Sequence, residues 1–400
     1  MTIETPATES ALAALIEAAG EGGGSLATEG SGTKRHYGPA ASPEARRLSL
    51  RGLSRVTAHE PADMILSALA GARLRDLQAA LEAHDQWLPL DPPFADATIG
   101  GIIATNASGP RRLGYGTSKD LLLGLRVLGA RGQATKSGGR VVKNVSGYDL
   151  HHLQVGAFGS LGVLVEVHLK VSARPEVSAL WALPCPTLAA AHGLLLEIGA
   201  TALRPVALEA LDGAEARRLR ARAEALPGRD GQAVALVGLE GSRASFERHV
   251  RELAGKGAGA LVVERPAADA LWVALAELPA AHASDVRVRV GARPRDLPAL
   301  LAALELDGAP VRGVAVRAGS GLAHVALDAA TEEAALASLL SRWRLVTAAR
   351  GGYAVVESAP LDLRGRARLP FGGPPSSPLA PALRRAWDPG ETLNPGRMAW

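Results

Sequence analysis

A short glycine-rich segment near the N-terminus, from Gly30 to Lys34 (GSGTK), has residue types that could bind a phosphate group. Successive backbone amides converge on a phosphate only where side chains leave the turn open, so glycines around a small hydroxyl residue suit such a loop. The lysine would add a positive charge. The spacing matches neither a P-loop nor a G-x-G-x-x-G fingerprint. Taken alone, the segment therefore fits an ordinary glycine turn equally well.

A second segment with a binding composition runs from Ala97 to Asp120 (ATIGGIIATNASGPRRLGYGTSKD). It combines five glycines with many Ser, Thr and Asn residues and few apolar ones. This composition is unsuited to a dry core, and a solvent-exposed loop of this length would be unusual. We expect the segment to line a long polar ligand with backbone amides and hydroxyl groups.

The third segment, from Lys143 to Val171, carries glycines directly ahead of an alternating strand: Gly147, Gly156, Gly159 and Gly162. An open backbone just before a rigid element can place amides against a cofactor. The adjacent His151 and His152 resemble metal ligands only superficially. Adjacent residues of a strand point to opposite faces and no carboxylate cluster lies nearby, so we interpret both as structural histidines and predict no metal site.

Helices and strands must position these segments, and hydrophobic periodicity predicts them. The first half should form a helix at Ser10–Ala19, a strand at Asp63–Leu69, a helix at Leu74–His84 and a hairpin of Leu121–Leu128 with Ala134–Lys136. A further strand, with one face exposed to solvent, should form at Val163–Val171. After about Pro175, strands are predicted at Leu180–Leu183, Val206–Leu211, Ala233–Leu239, Ala260–Glu264, Val286–Val290, Val311–Arg317, Ala323–Leu327 and Tyr353–Glu357. Helices are predicted at Thr187–Ile198, Ala244–Ala254, Leu297–Leu304, Thr331–Trp343 and Pro381–Trp387, with a surface linker at Pro370–Pro378. The second half is therefore an α+β unit.

Composition excludes several classes of protein. With 47% apolar and 21% charged residues among 400, the chain is typical of a globular protein of two domains. Its net charge of +4 comes from scattered basic residues and aromatic residues are few, so no nucleic-acid partner is expected. No apolar run approaches the ~18 residues of a membrane span, and the start MTIETPATES lacks signal-peptide features. The single Cys185 fits a cytoplasmic protein and leaves any iron–sulfur cluster to a partner.

Seven short motifs, in order along the chain, carry a resemblance to a known family. They are DPP at Asp91–Pro93, ATIGG at Ala97–Gly101, ATNASGPRR at Ala104–Arg112, YGTSKD at Tyr115–Asp120, VKNVSGYDL at Val142–Leu150, GSLGVLVEV at Gly159–Val167 and NPGR at Asn394–Arg397. Together they resemble the PCMH-type FAD-binding domain of the vanillyl-alcohol oxidase family, and within it the FAD-binding (E) subunits of bacterial glycolate oxidases (glycolate dehydrogenases). The resemblance implies an α+β fold: a PCMH-type domain at residues 1–175, a smaller α+β cap domain (substrate/FAD-linked oxidase C-terminal type) at 176–370, and a tail at 371–400 returning towards the flavin.

The resemblance also implies which residues hold FAD. The pyrophosphate would lie on Gly30, Ser31, Gly32 and Thr33, and the flavin region against Pro92, Thr98, Gly100, Gly101, Thr105, Asn106, Ser108 and Gly109. Gly116, Gly162 and Val163 would support the ribityl and adenosine parts, and Asn394 would approach the ring edge from the second domain. Some relatives join a histidine near the first loop to the flavin, which raises the question for His36. The matching subfamily resembles noncovalent binders, so noncovalent FAD is expected.

The implied reaction is oxidation of glycolate or a similar 2-hydroxy acid to the 2-oxo acid. Related single-chain dehydrogenases carry an H-x-G-x-G-x-x-H motif that helps to hold a metal, and RAGSGLAH matches it here, with Arg317 in place of the first histidine and His324 at the last. One imidazole does not complete a metal site. Arg317 could instead clamp a substrate carboxylate. The alternative is an exposed strand arginine beside a core histidine.

The group that would take the hydroxyl proton stays unassigned, and Arg397 is a candidate to stabilise the reduced ring. This departure from the catalytic pattern suggests a complex with a paralogous flavoprotein subunit and an iron–sulfur subunit, peripheral on the inner membrane through that complex. The alternative function is a flavin-carrying structural subunit without turnover of its own. A further alternative, reduction of a UDP-sugar enol ether, would need a nicotinamide donor and a proton-donor motif that the sequence does not show.

Overall fold

The computed structural model describes residues 3–141, 148–366, 371 and 379–398. The chain divides into two compact units. The first comprises residues 1–108, 116–174 and 374–400, and the second comprises residues 109–115 and 175–373. The predicted linker at Pro370–Pro378 lies outside the described residues except for Phe371.

The first unit is built around a five-stranded antiparallel sheet in the order β3-β4-β8-β6-β7, with two smaller strand pairs, β1-β2 and β5-β9. Up to residue 174 the elements, in chain order, are α1 Glu9–Glu21, β1 Leu26–Glu29, β2 Arg46–Ser49, β3 Val56–Glu60, β4 Ile65–Leu69, α2 Leu74–Glu82, β5 Gln86–Trp87, α3 Ile99–Thr105, α4 Arg112–Tyr115, α5 Ser118–Leu121, β6 Leu122–Leu128, β7 Ala134–Gly138, β8 Val163–Lys170 and β9 Ser172–Ala173. Of these, α4 lies in the segment that belongs to the second unit.

Local sequence patterns explain the elements of the first unit. In α1, Leu12, Ile16 and Ala19 recur on one face and are buried, and the Thr8 side chain caps the helix. In β8, the apolar positions are buried while Lys170 is exposed. The predicted helix α1, the strand β4 with the following α2, the β6–β7 hairpin and the strand β8 are all confirmed.

The second unit contains an eight-stranded sheet in the order β13-β10-β12-β11-β15-β16-β14-β17, and every strand pair in it is antiparallel. From residue 175 the elements are β10 Val177–Cys185, α6 Leu188–Gly199, β11 Ala207–Leu211, α7 Gly213–Arg220, β12 Ala233–Gly241, α8 Arg243–Leu253, β13 Leu261–Val263, α9 Ala267–Glu277, β14 Val286–Gly291, α10 Leu297–Ala303, β15 Val311–Arg317, β16 Leu322–Leu327, α11 Glu333–Ala348, β17 Tyr353–Ser358, α12 Leu361–Arg366 and α13 Leu379–Trp387. The last helix, α13, belongs to the first unit.

Every strand and helix predicted after Pro175 is present, with bounds shifted by a few residues. Three helices after Pro175, α7, α9 and the short α12, were not predicted. The composition of α7 is strongly polar, and the helix begins where the Asp212 side chain accepts the Glu215 amide hydrogen. In α9 most residues are apolar, so the helix shows no single hydrophobic stripe. The helices α7 and α9 pack on the same face of the sheet and contribute Leu219 and Trp272 to its core.

The two faces of this sheet differ in polarity. One face is apolar throughout and carries a core cluster that includes Trp181, Val288 and Trp343. On the other face, the region around β10, β11 and β12 is largely apolar, whereas the strands β14 to β17, together with Glu209 of β11, place charged side chains there. A cluster of buried charges on one part of an otherwise apolar sheet is the most unusual feature of this unit, because buried charges are rare unless paired.

Within the second unit, His192 on α6 makes stability depend on pH. Burial lowers the pKa of His192 to about 4. An unfolded histidine titrates near 6.5, so above that pH both states are neutral and the group has no effect. As the pH falls from 6.5 towards 4, the unfolded state binds the proton first and the fold loses about 1–3 kcal/mol. Urea unfolding at pH 7.5 and pH 5 should show a smaller loss in His192→Gln, whereas replacement of the exposed His84 by Gln should leave the loss unchanged.

Candidate functional site

The first glycine-rich loop lies directly against the start of α3. A side chain at Gly30 would come within 2.0 Å of Thr98 Oγ1, so only glycine fits there. Thr98 in turn caps α3, because its Oγ1 accepts a hydrogen bond from the Gly101 amide at 3.3 Å. The structure therefore brings together two of the three segments that the sequence singled out.

The backbone of this loop is open to a ligand. Gly32 has a left-handed φ of +72°, which favours glycine. Across the described part of the chain, the amides of Ser31, Gly32 and Thr33 donate to no other residue. The buried Ser31 Oγ likewise has no hydrogen-bond partner among the described residues. Buried polar groups are normally paired, so these donors fit the diphosphate of FAD.

Aromatic rings and a clamped backbone support the next part of the loop. Lys34 is buried and its Nζ lies 5.7 Å from the centre of the Phe94 ring. The His36 ring packs edge-on against Phe94 at 5.2 Å. Arg397 Nη1 donates to the carbonyl oxygens of Tyr37 at 2.7 Å and Pro39 at 3.0 Å. The Arg397 guanidinium therefore holds the backbone of this loop in place, and its role beside a reduced ring stays a prediction.

The segment before β8 docks on the end of α3. The amides of Gly156 and Phe158 donate to the carbonyls of Ile103 and Ala104 at 3.0 and 2.8 Å. Asn106 ends α3 in the left-handed region, with φ of 48°. The third segment therefore joins the other two at this helix, as far as the structure describes it. Residues 142–147, including Lys143 and Gly147, lie outside the described part.

Asn394 is a buried cross-link within the first unit. Its Nδ2 donates to Thr28 Oγ1 at 2.7 Å and to the Gly159 carbonyl at 3.0 Å, and its Oδ1 accepts the Thr28 amide hydrogen at 2.9 Å. The expectation that Asn394 approaches from the second domain is wrong, because the tail belongs to the first unit and Leu393 pairs with Leu26. The tail does return to the glycine-rich loops.

Three of the glycines predicted to contact FAD are tightly packed against other residues of the protein. A side chain at Gly100 would come within 2.8 Å of Ala70, at Gly116 within 2.6 Å of Asp120, and at Gly162 within 2.3 Å of Val127, while Val163 itself is buried in the core. Packing is thus enough to require small residues at these three glycines. Gly101 is different: a side chain there would meet only Thr98 Oγ1, at 3.1 Å.

The remaining predicted contacts lie at or near α3. The Thr105 hydroxyl donates to the Gly101 carbonyl at 2.7 Å, and Pro92 is buried. Ser108 is the last residue of its stretch of the first unit, and Gly109 is the first residue of the segment that belongs to the second unit. None of these positions tests the assignment of flavin contacts, which stays a prediction.

His151 and His152 lie in a 3-10 turn, Leu150–Gln154, so the expectation that they sit in a strand with opposed side chains is wrong. Their ring centres are 4.3 Å apart, and His151 Nδ1 lies 3.1 Å from Ser137 Oγ. Across the described residues, no group of three or more His, Cys, Asp or Glu side chains is arranged to hold a metal ion.

The segment from Gly109 to Tyr115, which we name the 109–115 strap, is anchored in the second unit by Arg111. The Arg111 Nε and Nη2 atoms donate to Glu240 Oε1 at 3.0 and 2.8 Å, and the guanidinium lies 3.9 Å from the centre of the Trp272 ring. Burial, together with Glu240, raises the pKa of Tyr115. The sequence analysis expected this whole stretch to line a ligand and missed the anchor, whose carboxylate is far away in the chain.

The charged face of the second sheet encloses a cavity of about 30 Å³. Its floor consists of the small residues Gly313, Ala315 and Ala326. The polar residues of its wall are Glu209, Glu215, His282, Arg287, Arg317 and His324. Both motif residues that the sequence singled out, Arg317 and His324, therefore face one space. The alternative of an exposed arginine is wrong, because Arg317 is 8% exposed.

Each guanidinium of the cavity wall faces a carboxylate. Arg317 Nε lies 3.8 Å from Glu209 Oε1, and the two residues are register partners on β15 and β11. Arg287 Nη2 lies 3.0 Å from Glu357 Oε2. Burial alone would raise the pKa of Glu357, but Arg287 and His324 hold it well below its usual value. The cavity is therefore charged but close to balanced.

Five residues of this cluster were not predicted from the sequence: Glu209, Glu215, His282, Arg287 and Glu357. A signal existed, since charged residues alternate with apolar ones in otherwise buried strands, as in VRVRVG and ALEAL. Alternation alone, however, predicts a solvent-exposed face of the sheet. It does not show that α7, α9 and the Leu278–His282 turn cover this face.

The architecture and the open loop define a two-domain FAD-binding protein. Residues 2–138 match the FAD binding domain family, and residues 174–303 match the family of FAD linked oxidases, C-terminal domain. The chain thus contains a domain of each of these two families, and FAD is its cofactor. A solved structure of alkyldihydroxyacetonephosphate synthase shares the fold, with a TM-score of 0.68 over 98% of this chain and 75% of that one at 16% identity. The predicted α+β fold class is confirmed.

Three curated relatives indicate which kinds of FAD-linked protein this chain is similar to. Glycolate oxidase subunit GlcE of Escherichia coli (strain K12) is 38% identical over 38% of this chain and 44% of its own length. D-lactate dehydrogenase of Archaeoglobus fulgidus is 31% identical over 52% of this chain and 46% of its own length. Glycolate oxidase subunit GlcD of Bacillus subtilis (strain 168) is 30% identical over 47% and 40%. The chain thus spans less than half the length of these relatives. Among the described residues, no helix is long and apolar enough to cross a membrane.

Proposed function

We propose that this chain is the FAD-binding subunit of a glycolate oxidase or dehydrogenase complex. It oxidises glycolate or a similar 2-hydroxy acid to the 2-oxo acid and passes the electrons to a partner. The observation that carries the proposal is the open loop at Ser31–Thr33 in a chain whose two domains both match FAD-linked oxidases. The names of the relatives, two glycolate oxidase subunits and a D-lactate dehydrogenase, support the substrate class.

The first unit supplies the cofactor site. The amides of the half-buried Ser31, Gly32 and Thr33 and the buried Ser31 hydroxyl donate to the diphosphate, because none of them has a hydrogen-bond acceptor among the described residues. Gly101 leaves room for the flavin. When bound, FAD accepts a hydride equivalent from the carbon that carries the hydroxyl group. The other FAD contacts around α3 are proposed from the resemblance of the sequence motifs to the family.

The second unit supplies the substrate site in this proposal. Arg317 on the cavity wall orients the substrate carboxylate with paired hydrogen bonds. These hydrogen bonds replace the contact of Arg317 with Glu209, which at 3.8 Å is longer than a hydrogen bond. The burial of Arg317 strengthens such an interaction, because charges attract more strongly away from water.

A second candidate function is a flavin-carrying subunit without turnover of its own. The balanced charges of the cavity favour it, since each guanidinium already has a carboxylate. Purification of the lone chain separates the two functions. A yellow protein whose flavin is bleached by glycolate without oxygen supports the oxidase; a yellow protein that no 2-hydroxy acid bleaches supports the carrier. A protein that stays colourless with added FAD contradicts both.

The partners follow from the same proposal. Both GlcE and GlcD are named as subunits, which supports a paralogous flavoprotein partner. The single buried Cys185 makes an iron–sulfur subunit the expected electron acceptor, because the chain itself lacks thiolate ligands for a cluster. Purification of a tagged chain from its native cells tests this directly: recovery of a second flavoprotein and an iron–sulfur protein in fixed proportion is expected.

Removal of Arg317 should weaken substrate binding without loss of colour. Because Arg317→Ala alone would remove a positive charge beside the buried Glu209 carboxylate, the change is made together with Glu209→Gln. Loss of a charged hydrogen bond predicts a KM for glycolate about tenfold higher, with FAD content unchanged. Glu209→Gln alone is the matched control. An unchanged KM would show that Arg317 does not bind the substrate and has only a structural role.

A further inference from the structure

Residues 392–397, which we name the 392–397 clasp, bind the chain just after the first glycine-rich loop through the Arg397 guanidinium. Arg397 donates to four backbone carbonyl oxygens: Nη1 to those of Tyr37 at 2.7 Å, Pro39 at 3.0 Å and Arg35 at 3.2 Å, and Nη2 to that of Lys34 at 3.4 Å. Four carbonyls of so short a stretch point at one side chain only where the backbone turns back on itself. The guanidinium therefore fixes the path of this part of the chain.

The clasp also holds both ends of the loop. The amide of Leu26 donates to the Thr392 carbonyl at 2.8 Å, and the amide of Asn394 donates to the Leu26 carbonyl at 2.7 Å. Beyond the loop, the amide of Ser42 donates to the Pro395 carbonyl at 2.9 Å. The chain that contains the glycine-rich loop thus starts and ends on the clasp, which closes the loop as a cross-link would.

Between these two ends the loop has no regular structure of its own to support it. The described residues 30–45, between β1 and β2, contain no helix or strand. An irregular stretch of this length is uncommon in a compact domain, and it loses much conformational entropy when it becomes ordered. Its contacts with the clasp therefore limit the conformations that the loop can adopt.

The Phe158 ring joins the clasp to two other segments of the site. The guanidinium carbon of Arg397 lies 5.0 Å from the centre of this ring, within the range of a cation–π attraction. A side chain at Gly38 would come within 3.2 Å of the same ring, so the loop packs directly against it. The Phe158 amide donates to the Ala104 carbonyl at the end of α3. The loop, the clasp and α3 therefore meet at one residue.

We infer that Arg397 is a positioning residue for FAD, and that bound FAD and the 392–397 clasp stabilise each other through the loop. The inference rests on the proposed function, in which the amides of Ser31–Thr33 bind the diphosphate. The clasp keeps the loop in the form that presents these amides, so less conformational entropy is lost when FAD binds. Because binding free energies are reciprocal, the clasp is in turn held more firmly when FAD is bound, by the same factor.

The contacts require a guanidinium rather than any positive charge. The five N–H donors of arginine lie in one rigid plane and reach acceptors at several positions, whereas the ammonium of lysine is a single compact centre. Arg397→Lys keeps the charge but loses most of the four contacts. We therefore expect Arg397→Lys to behave like Arg397→Gln, which distinguishes positioning of the loop from a simple attraction between the charge and the diphosphate.

The first experiment titrates the FAD-free full chain with FAD and follows flavin fluorescence. Loss of the charged hydrogen bonds predicts that Arg397→Gln binds FAD about tenfold more weakly or worse. The rise in urea midpoint that FAD produces should also shrink, because stabilisation by a ligand falls with its affinity. A merely structural residue would lower the midpoints with and without FAD equally. Arg385→Gln, an exposed position of α13, is the control and should match wild type.

The second experiment uses the wild-type chain, so it does not depend on a variant that folds. Trypsin cleaves after Arg397 in the clasp, after Arg35 in the loop and after the exposed Lys256 of the second unit, and mass spectrometry separates the three cuts. Saturating FAD should slow the cuts at Arg35 and Arg397 together, by about tenfold or more. The cut at Lys256 should keep its rate.

An FAD affinity of Arg397→Gln equal to that of wild type overturns this inference alone, as does full recovery of affinity in Arg397→Lys. Protection of the cut at Arg35 without protection at Arg397 also overturns it, because the loop and the clasp would then open independently. A chain that binds FAD but whose flavin no 2-hydroxy acid reduces contradicts the proposed oxidation and leaves both measurements valid. A chain that binds no FAD contradicts the inference and the proposed function alike.

Discussion

Replacement of Gly101 by valine is expected to abolish FAD retention while the protein stays folded. Only Thr98 Oγ1, at 3.1 Å, lies near the position of an added Cβ, and Gly101 has an ordinary helical backbone. The valine side chain would instead fill the space where the small residues of α3 are proposed to meet the flavin. We expect FAD affinity to fall at least about a hundredfold, since overpacking a close contact costs about 1–3 kcal/mol or more. Flavin absorbance after purification and FAD titration measure it.

Two matched glycines make this test specific. Gly193 on α6 has no atom within 4 Å of an added Cβ, so Gly193→Val controls for valine in a helix and should leave the protein yellow. Gly100→Val should reduce folding itself, because the side chain would meet Ala70 at 2.8 Å. A fully yellow, folded Gly101→Val protein would contradict the proposed flavin-facing role of α3.

Replacement of Glu240 by alanine should produce the largest loss of stability in the second unit. Glu240 is fully buried on its side-chain atoms and accepts hydrogen bonds from Arg111 and, at 2.7 Å, from the Ser178 hydroxyl. Its removal leaves the Arg111 guanidinium without its carboxylate, and breaking a buried pair in this way typically costs about 3–5 kcal/mol. Urea unfolding followed by tryptophan fluorescence reports the loss, because Arg111 packs on Trp272.

The exposed Glu247 on α8 provides the control for this change. Glu247→Ala should shift the free energy of unfolding by less than about 0.5 kcal/mol, as for most surface substitutions. The 109–115 strap connects Ser108 to Gly116, both proposed FAD contacts, so Glu240→Ala should also weaken FAD binding. A loss of stability below about 1 kcal/mol would show that the Arg111–Glu240 pair does not anchor the strap.

Local patterns were enough to predict most of the elements. The alternation that ends in Lys170 predicts β8 because a strand turns successive side chains to opposite faces, and one face of this strand is buried. The short motifs around α3 predict FAD through their resemblance to a known family, whereas their glycines and small hydroxyl residues by themselves predict only that a ligand approaches the backbone. The helices α7 and α9 escaped prediction because one is too polar and the other too uniformly apolar to show a stripe.

By itself, the sequence determined the fold class and the two-part organisation, since local patterns of residue types carry both, and its motifs indicated FAD through their resemblance to a known family. Only the tertiary structure decided which charges meet. Glu215 and His324 are more than a hundred residues apart in the chain, and sheet register together with a covering helix places both on one cavity. The same holds for Arg111 with Glu240 and for Asn394 with Thr28. Such pairs depend on long-range register, which no local periodicity encodes.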